Sequence, residues 1–174
     1  SEEYYNQALE LCIAIDYENC IGIVTMNLSE VYRMESKFDK AAEQIDMAKE
    51  LFERLKNPSL PEAMIASADL SNMRAMAASS AEEAKNNFNQ AIIESKEALK
   101  LSRASDTKQF IQRALTTMGH GYIGLKNYGE AIKSLEESLV VGKGLGVSVD
   151  LQEGYDGLKT AYANSGQYKE ALDA

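Results

Sequence analysis

The feature that most constrains this chain is a repeat built on alanines. Ala41, Ala131 and Ala171 each have an aromatic residue three positions before them, namely Phe38, Tyr128 and Tyr168. Nine positions before each stands a tyrosine, Tyr32, Tyr122 or Tyr162, and thirteen before stands Leu28, Met118 or Leu158. Ala131 and Ala171 are 40 residues apart, and stepping back 40 from Ala41 reaches Ser1. There Tyr5, Ala8 and Leu11 fall where Ile45, Ala48 and Leu51 fall in the next unit. Ala91, with Phe88 before it and Ala98 after it, lies 50 beyond Ala41 and 40 before Ala131. One unit therefore holds ten extra residues, between Leu60 and Asn87. A fixed period of this length is the signature of stacked supersecondary units, none of which can bury its apolar face alone.

Each unit reads as two helices. Ile23 to Met34 and Phe38 to Leu55 carry apolar residues at helical spacing, with a break at Glu35-Ser36-Lys37. The second of these ends before Asn57-Pro58, because proline denies its predecessor the helical region. The later unit has the same plan, with helices at Gln112 to Leu125 and Tyr128 to Val141, and with Gly142, Gly144 and Gly146 expected to stop the second. The chain has only two prolines, and ten of its eleven glycines lie at or after Gly119, so the first two-thirds can be nearly continuous helix. The first helix of the third unit has no clear register. An irregular or extended pair is expected there. The fold class is all-α, a stack of antiparallel helix pairs.

These residues resemble the tetratricopeptide repeat family. Its pattern is a large apolar residue and a small one, a tyrosine, a small residue at the turn, an aromatic and an alanine. Leu28-Ser29, Tyr32, Ser36, Phe38 and Ala41 fit it, as do Met118-Gly119, Tyr122, Tyr128 and Ala131, and Leu158, Tyr162, Gly166, Tyr168 and Ala171. The resemblance implies a right-handed α-solenoid divided as a partial repeat 1–17, a repeat 18–58, an irregular extended repeat 59–106, a repeat 107–147 and a partial repeat 148–174. The 40-residue period exceeds the common 34, and resembles arrays in bacterial signalling and adaptor proteins. Neither end carries a polar cap, so the chain is expected to be a piece of a longer array, able to associate end to end.

In this family the first helix of each pair lines a concave groove. The resemblance therefore places Met26, Asn27, Glu30 and Arg33 in the groove, with Ile23 beside them. The fourth unit contributes Arg113, Thr116, Thr117 and His120, and the last contributes Glu153, Asp156, Thr160 and Asn164. Family members that clamp a C-terminal carboxylate use a lysine and an asparagine at positions that here hold Met26, Asn27 and Glu30. Glu30 would repel a carboxylate, which argues against that ligand.

No catalytic constellation is visible. His120, the single histidine, lacks a neighbouring nucleophile or orienting group. Gly142-Lys143-Gly144-Leu145-Gly146 lacks the Lys-Ser/Thr ending and the preceding strand of a phosphate loop, and reads as helix termination. Glu2-Glu3, Glu82-Glu83 and Glu136-Glu137 are adjacent on helices, point about 100° apart and read as solvated faces. Most of Met26, Met34, Met64, Met73, Met76 and Met118 read as core, with Met26 and Met34 assigned to the groove. Cys12 and Cys20 read as small buried hydrophobes, which favours a reducing compartment. A net charge of −9 argues against nucleic acid, whose phosphates need a basic footprint. The longest apolar run, Leu11 to Ile15, is too short to cross a bilayer, and no signal peptide is visible, so a cytoplasmic location is expected.

The expected function is a non-catalytic scaffold, without metal or cofactor, that binds a protein or peptide segment in the groove. Two alternatives share the fold: a sensory or regulatory segment of a bacterial histidine kinase or transcription regulator, and a peptide-pheromone receptor.

Overall fold

A computed structural model describes residues 2–145 and 148–173. Among these residues there are nine helices and no strand. They are α1 (Glu2–Ala14), α2 (Glu18–Met34), α3 (Phe38–Arg54), α4 (Leu60–Ala77), α5 (Ala81–Ala104), α6 (Lys108–Gly124), α7 (Tyr128–Lys143), α8 (Ser148–Asn164) and α9 (Tyr168–Asp173). The protein is all-α, as the spacing of apolar residues predicts. Every helix packs on the next in the chain, and α4 also touches α6, which touches α8. Ser1 and Gly146, to which the sequence assigns an anchor position and a helix stop, lie outside the described residues.

A left-handed turn residue sets the spacing of the helices. Asp16, Ser36, Lys56, Asp106 and Lys126 have φ between 50° and 59°, and Gly166 has φ 83°. They recur at steps of 20 residues or multiples of it, except across the third unit. At each, two backbone bonds close the preceding helix: the Ser36 amide donates to Arg33 O (3.0 Å) and the Lys37 amide to Tyr32 O (2.8 Å). The same pair of bonds recurs at Lys126 and Asn127, with Tyr122 O the acceptor for the second. This is the Schellman arrangement, which satisfies carbonyls that a helix end leaves open. Gly166 is thus a turn glycine: no atom lies within 4 Å of where its Cβ would stand. It is not a close-packing site.

The third unit departs from this rule at its middle. Between α4 and α5 the chain runs extended at Ala78 and Ser80. There a reciprocal cap replaces the left-handed turn. The Glu83 amide donates to Ser80 Oγ (3.1 Å) and the Ser79 amide donates to the Glu83 carboxylate (3.2 Å). Phe88 to Ala104 matches the 17 residues of α3, so seven of the ten extra residues extend α5 toward its start. Both helices of this unit are regular, and most of the surplus is helical rather than loop.

Packing follows the anchors. Ala41, Ala91 and Ala131 have no exposed surface, and neither do Ala48, Ala98 and Ser138 seven residues later. The apolar side chains form clusters in chain order. One joins Leu28, Tyr32, Ile45 and Leu70, another Ile65, Ile92, Leu99 and Leu115, and another Leu135, Leu139 and Leu158. Size is exchanged across one recurring contact. In the second unit Gly22 faces Phe52, and a Cβ on it would stand 2.5 Å from the ring. In the fourth unit the equivalent pair is Gln112 and Gly142, with the bulk on the first helix, and a Cβ on Gly142 would stand 2.4 Å from the Gln112 amide nitrogen. Gly142 is therefore a buried residue inside α7 and not its stop.

Polar ties link each first helix to the preceding pair. The Tyr32 hydroxyl donates to Glu2 (3.0 Å), and the Tyr162 hydroxyl donates to Glu136 (2.6 Å). The Glu136 bond, helped by burial, pushes the Tyr162 hydroxyl up to about 12. Arg103 pairs with Glu137. The adjacent acidic pairs are thus partly structural rather than merely solvated. Cys12 and Cys20 are joined by a disulfide between the end of α1 and the start of α2. That corrects their reading as two small buried hydrophobes and removes the argument they gave for a reducing compartment. No described helix is long and apolar enough to cross a membrane.

Two substitutions test this packing. Gly22→Ala is expected to cost about 1–3 kcal/mol, since Phe52 is enclosed and cannot retreat. The Gln112 side chain is fully buried, and both its polar atoms lack a protein partner. Gln112→Met is expected to stabilise by about 1–2 kcal/mol, by removing an unpaired amide at similar volume. Urea midpoints at unchanged slope read both changes.

Candidate functional site

The first helices of the pairs, α2, α4, α6 and α8, all contribute to one cavity of about 740 Å³. Two smaller cavities, of about 220 and 260 Å³, adjoin it, and all three share Arg33. The main cavity has two kinds of wall. Toward the C-terminal ends of the helices stand Met34, Met73, Met76 and Ile123, with Phe88 from α5. The other wall is charged or polar, with Glu30, Arg33, Asp69, His120, Glu153 and Asp156.

Glycines in α6 shape the apolar wall. A Cβ on Gly124 would stand 2.3 Å from the Phe88 ring, and one on Gly121 would stand 2.9 Å from Ile92. Phe88 is therefore seated on bare backbone, which holds its ring at the cavity edge. Met34 is 79% exposed and Met76 is 74% exposed. These unbranched thioethers can change shape around a ligand.

Asp69 is the centre of the polar wall. It accepts from the Thr117 hydroxyl (2.8 Å) and lies 3.5 Å from Arg33. Arg33 is shared with Glu30. Only 29% of the Asp69 side chain is exposed. Burial pushes its carboxyl above the ordinary range, and Thr117, Arg33, Arg113 and His120 only partly offset that. One turn along α4, Asn72 is buried and donates to Thr117 O (3.0 Å), while its Oδ1 lacks a protein partner. His120 stands against α8, where a Cβ on Gly157 would lie 3.2 Å from its Nε2. Among the described residues no three His, Cys, Asp or Glu side chains converge as metal ligands.

Most of the residues assigned to the groove from sequence meet at these cavities. Glu30, Arg33, His120, Glu153, Asp156 and Thr160 line the main one. Met26, Asn27 and Arg113 line the smaller one that also holds Ile23. Thr116 and Thr117 touch the third but are almost completely buried. Their hydroxyls are engaged by neighbours: Thr116 meets Ser138 (2.6 Å) and Thr117 donates to Asp69. Those two are structural contacts. Asn164 lines none of the three cavities, and its amide donates to Thr160 O (2.8 Å).

The sequence reading missed α4. Asp69, Asn72, Met73 and Met76 follow helical spacing and give one wall, but α4 is apolar on its other sides as well, so no single face stood out. Met73 and Met76, read as core, line the cavity instead.

No family model matches the chain, and no curated protein matches it. Among solved structures it is similar to BtubC (BKLC) from P. vanneervenii, with a TM-score of 0.69 at 16% identity. The likeness covers 90% of this chain, which spans 61% of the length of that protein. At that identity it concerns the fold alone.

Asp69 provides a test of the polar wall. Its raised folded-state pKa means the native chain holds this proton more tightly than the unfolded chain. The group's stabilising contribution is full below the ordinary carboxyl range and is lost as pH rises through the folded value. Asp69→Asn keeps an acceptor for Thr117 and cannot ionise. Its urea midpoint is expected to gain on the parent as pH rises over the range from about pH 4 upward. A constant difference across that range would contradict the burial of the charge.

Proposed function

We propose that the chain is a tetratricopeptide-type right-handed α-solenoid that works as a non-catalytic scaffold, binding a protein or peptide segment across its first helices. The observation that carries this reading is the main cavity, to which four successive first helices contribute. A ligand that touches all four must be elongated, which fits a peptide or helix better than a compact metabolite. The recurring left-handed turns and the packing of each helix on its chain neighbours support the solenoid. The adaptable methionines beside a seated aromatic ring support a surface that packs against side chains.

The test is a random peptide library selected against the protein. Peptides recovered this way should lose about tenfold in affinity on Met34→Ser/Met76→Ser, roughly 1.4 kcal/mol. Met47→Ser, at a half-exposed methionine on α3, should leave them unchanged. Binders that ignore the double substitution would place recognition elsewhere and sink the reading.

A further inference from the structure

The charges of the main cavity do not balance. Its wall carries four carboxylates, Glu30, Asp69, Glu153 and Asp156, and one arginine, Arg33. Arg33 is already engaged by Glu30 and Asp69. Among the described residues, Glu153 and Asp156 form no ion pair within 4 Å; Arg113, which lines the adjoining cavity with Glu153, pairs with Glu62 (3.4 Å). They stand three residues apart on α8, which puts them on one helix face, and both are exposed. The opposite wall, formed by α4 and α5, is apolar at Met73, Met76 and Phe88.

An occupant covering this cavity would take Glu153 and Asp156 partly out of water. An acidic partner would add repulsion, and an uncharged one would leave both carboxylates uncompensated. A cation between them would restore the balance, while an apolar side chain would fill the far wall. We propose that the cavity takes a basic amphipathic peptide segment. Its lysine or arginine lies between Glu153 and Asp156, and a neighbouring large apolar side chain lies against Met73, Met76 and Phe88. This rests on the scaffold reading and adds the chemistry of the partner.

Three synthetic peptides of equal length test it by fluorescence anisotropy: leucine alternating with arginine, with glutamine and with glutamate. The arginine peptide should bind best, and added salt should weaken it. Glu153→Gln/Asp156→Asn should weaken it about tenfold. Glu10→Gln/Glu53→Gln removes the same charge from exposed positions outside the cavity and should change affinity little. Equal losses in the two double variants would overturn the proposal, because general attraction to an acidic chain would then explain the binding. So would equal or tighter binding of the glutamate or glutamine peptide. If such a peptide still weakens on Met34→Ser/Met76→Ser, the scaffold reading stands and only the basic partner is lost. Binding by none of the three peptides would overturn both.

Discussion

The structure depends on one backbone conformation, the left-handed residue that closes six of the described helices. At five of these positions the residue is not glycine. Such a residue costs roughly 1–2 kcal/mol against a right-handed one. The two backbone bonds made at each turn offset that cost and end the helix at a fixed point. Where the turns recur at a 20-residue step, the helices between them, α2, α3 and α6, have 17 residues each and return beside their neighbours. Without that regularity the first helices would not bring residues from α2 and α8 to a single cavity.

Within this frame the close contacts are set by exchanged volume. Alanines at the anchors allow the helices to approach, and the contacts beyond them trade size between the two helices of a pair. Gly22 with Phe52 and Gln112 with Gly142 fill equivalent space in opposite senses. The same device shapes the site, where Gly124 leaves room for the Phe88 ring. Glycine here serves mostly as missing volume inside helices. Among the described residues, only Gly166 uses its conformational freedom.

Much of the fold was legible because the anchors combine residue type with fixed offset, and burial requires both. The alanines at the anchors and the large residues thirteen before them are indeed buried. The walls from α2, α6 and α8 were legible for the same reason, since an anchor on one face fixes which residues lie on the other. The wall from α4 was not. Its pattern is displaced by the extension of α5, and Ala63, Ile65, Ala66, Ala68 and Leu70 make it apolar on several sides, because α3, α5 and α6 all pack on it. A helix enclosed in this way loses the periodicity from which a face is read.

The sequence by itself determined the helical class, the 40-residue period, the place of the ten extra residues to within one unit, and the buried anchors. These are local or periodic properties, and they survive without knowledge of what lies opposite. Tertiary structure alone decided which side chains meet. It joined Cys12 to Cys20, engaged Thr116 and Thr117 in contacts between helices, turned Met73 and Met76 into a cavity wall, and brought Glu153 and Asp156 to that cavity. The physical reason is that pairing and exposure depend on distances between helices. No single helix carries that information until its neighbours are in place.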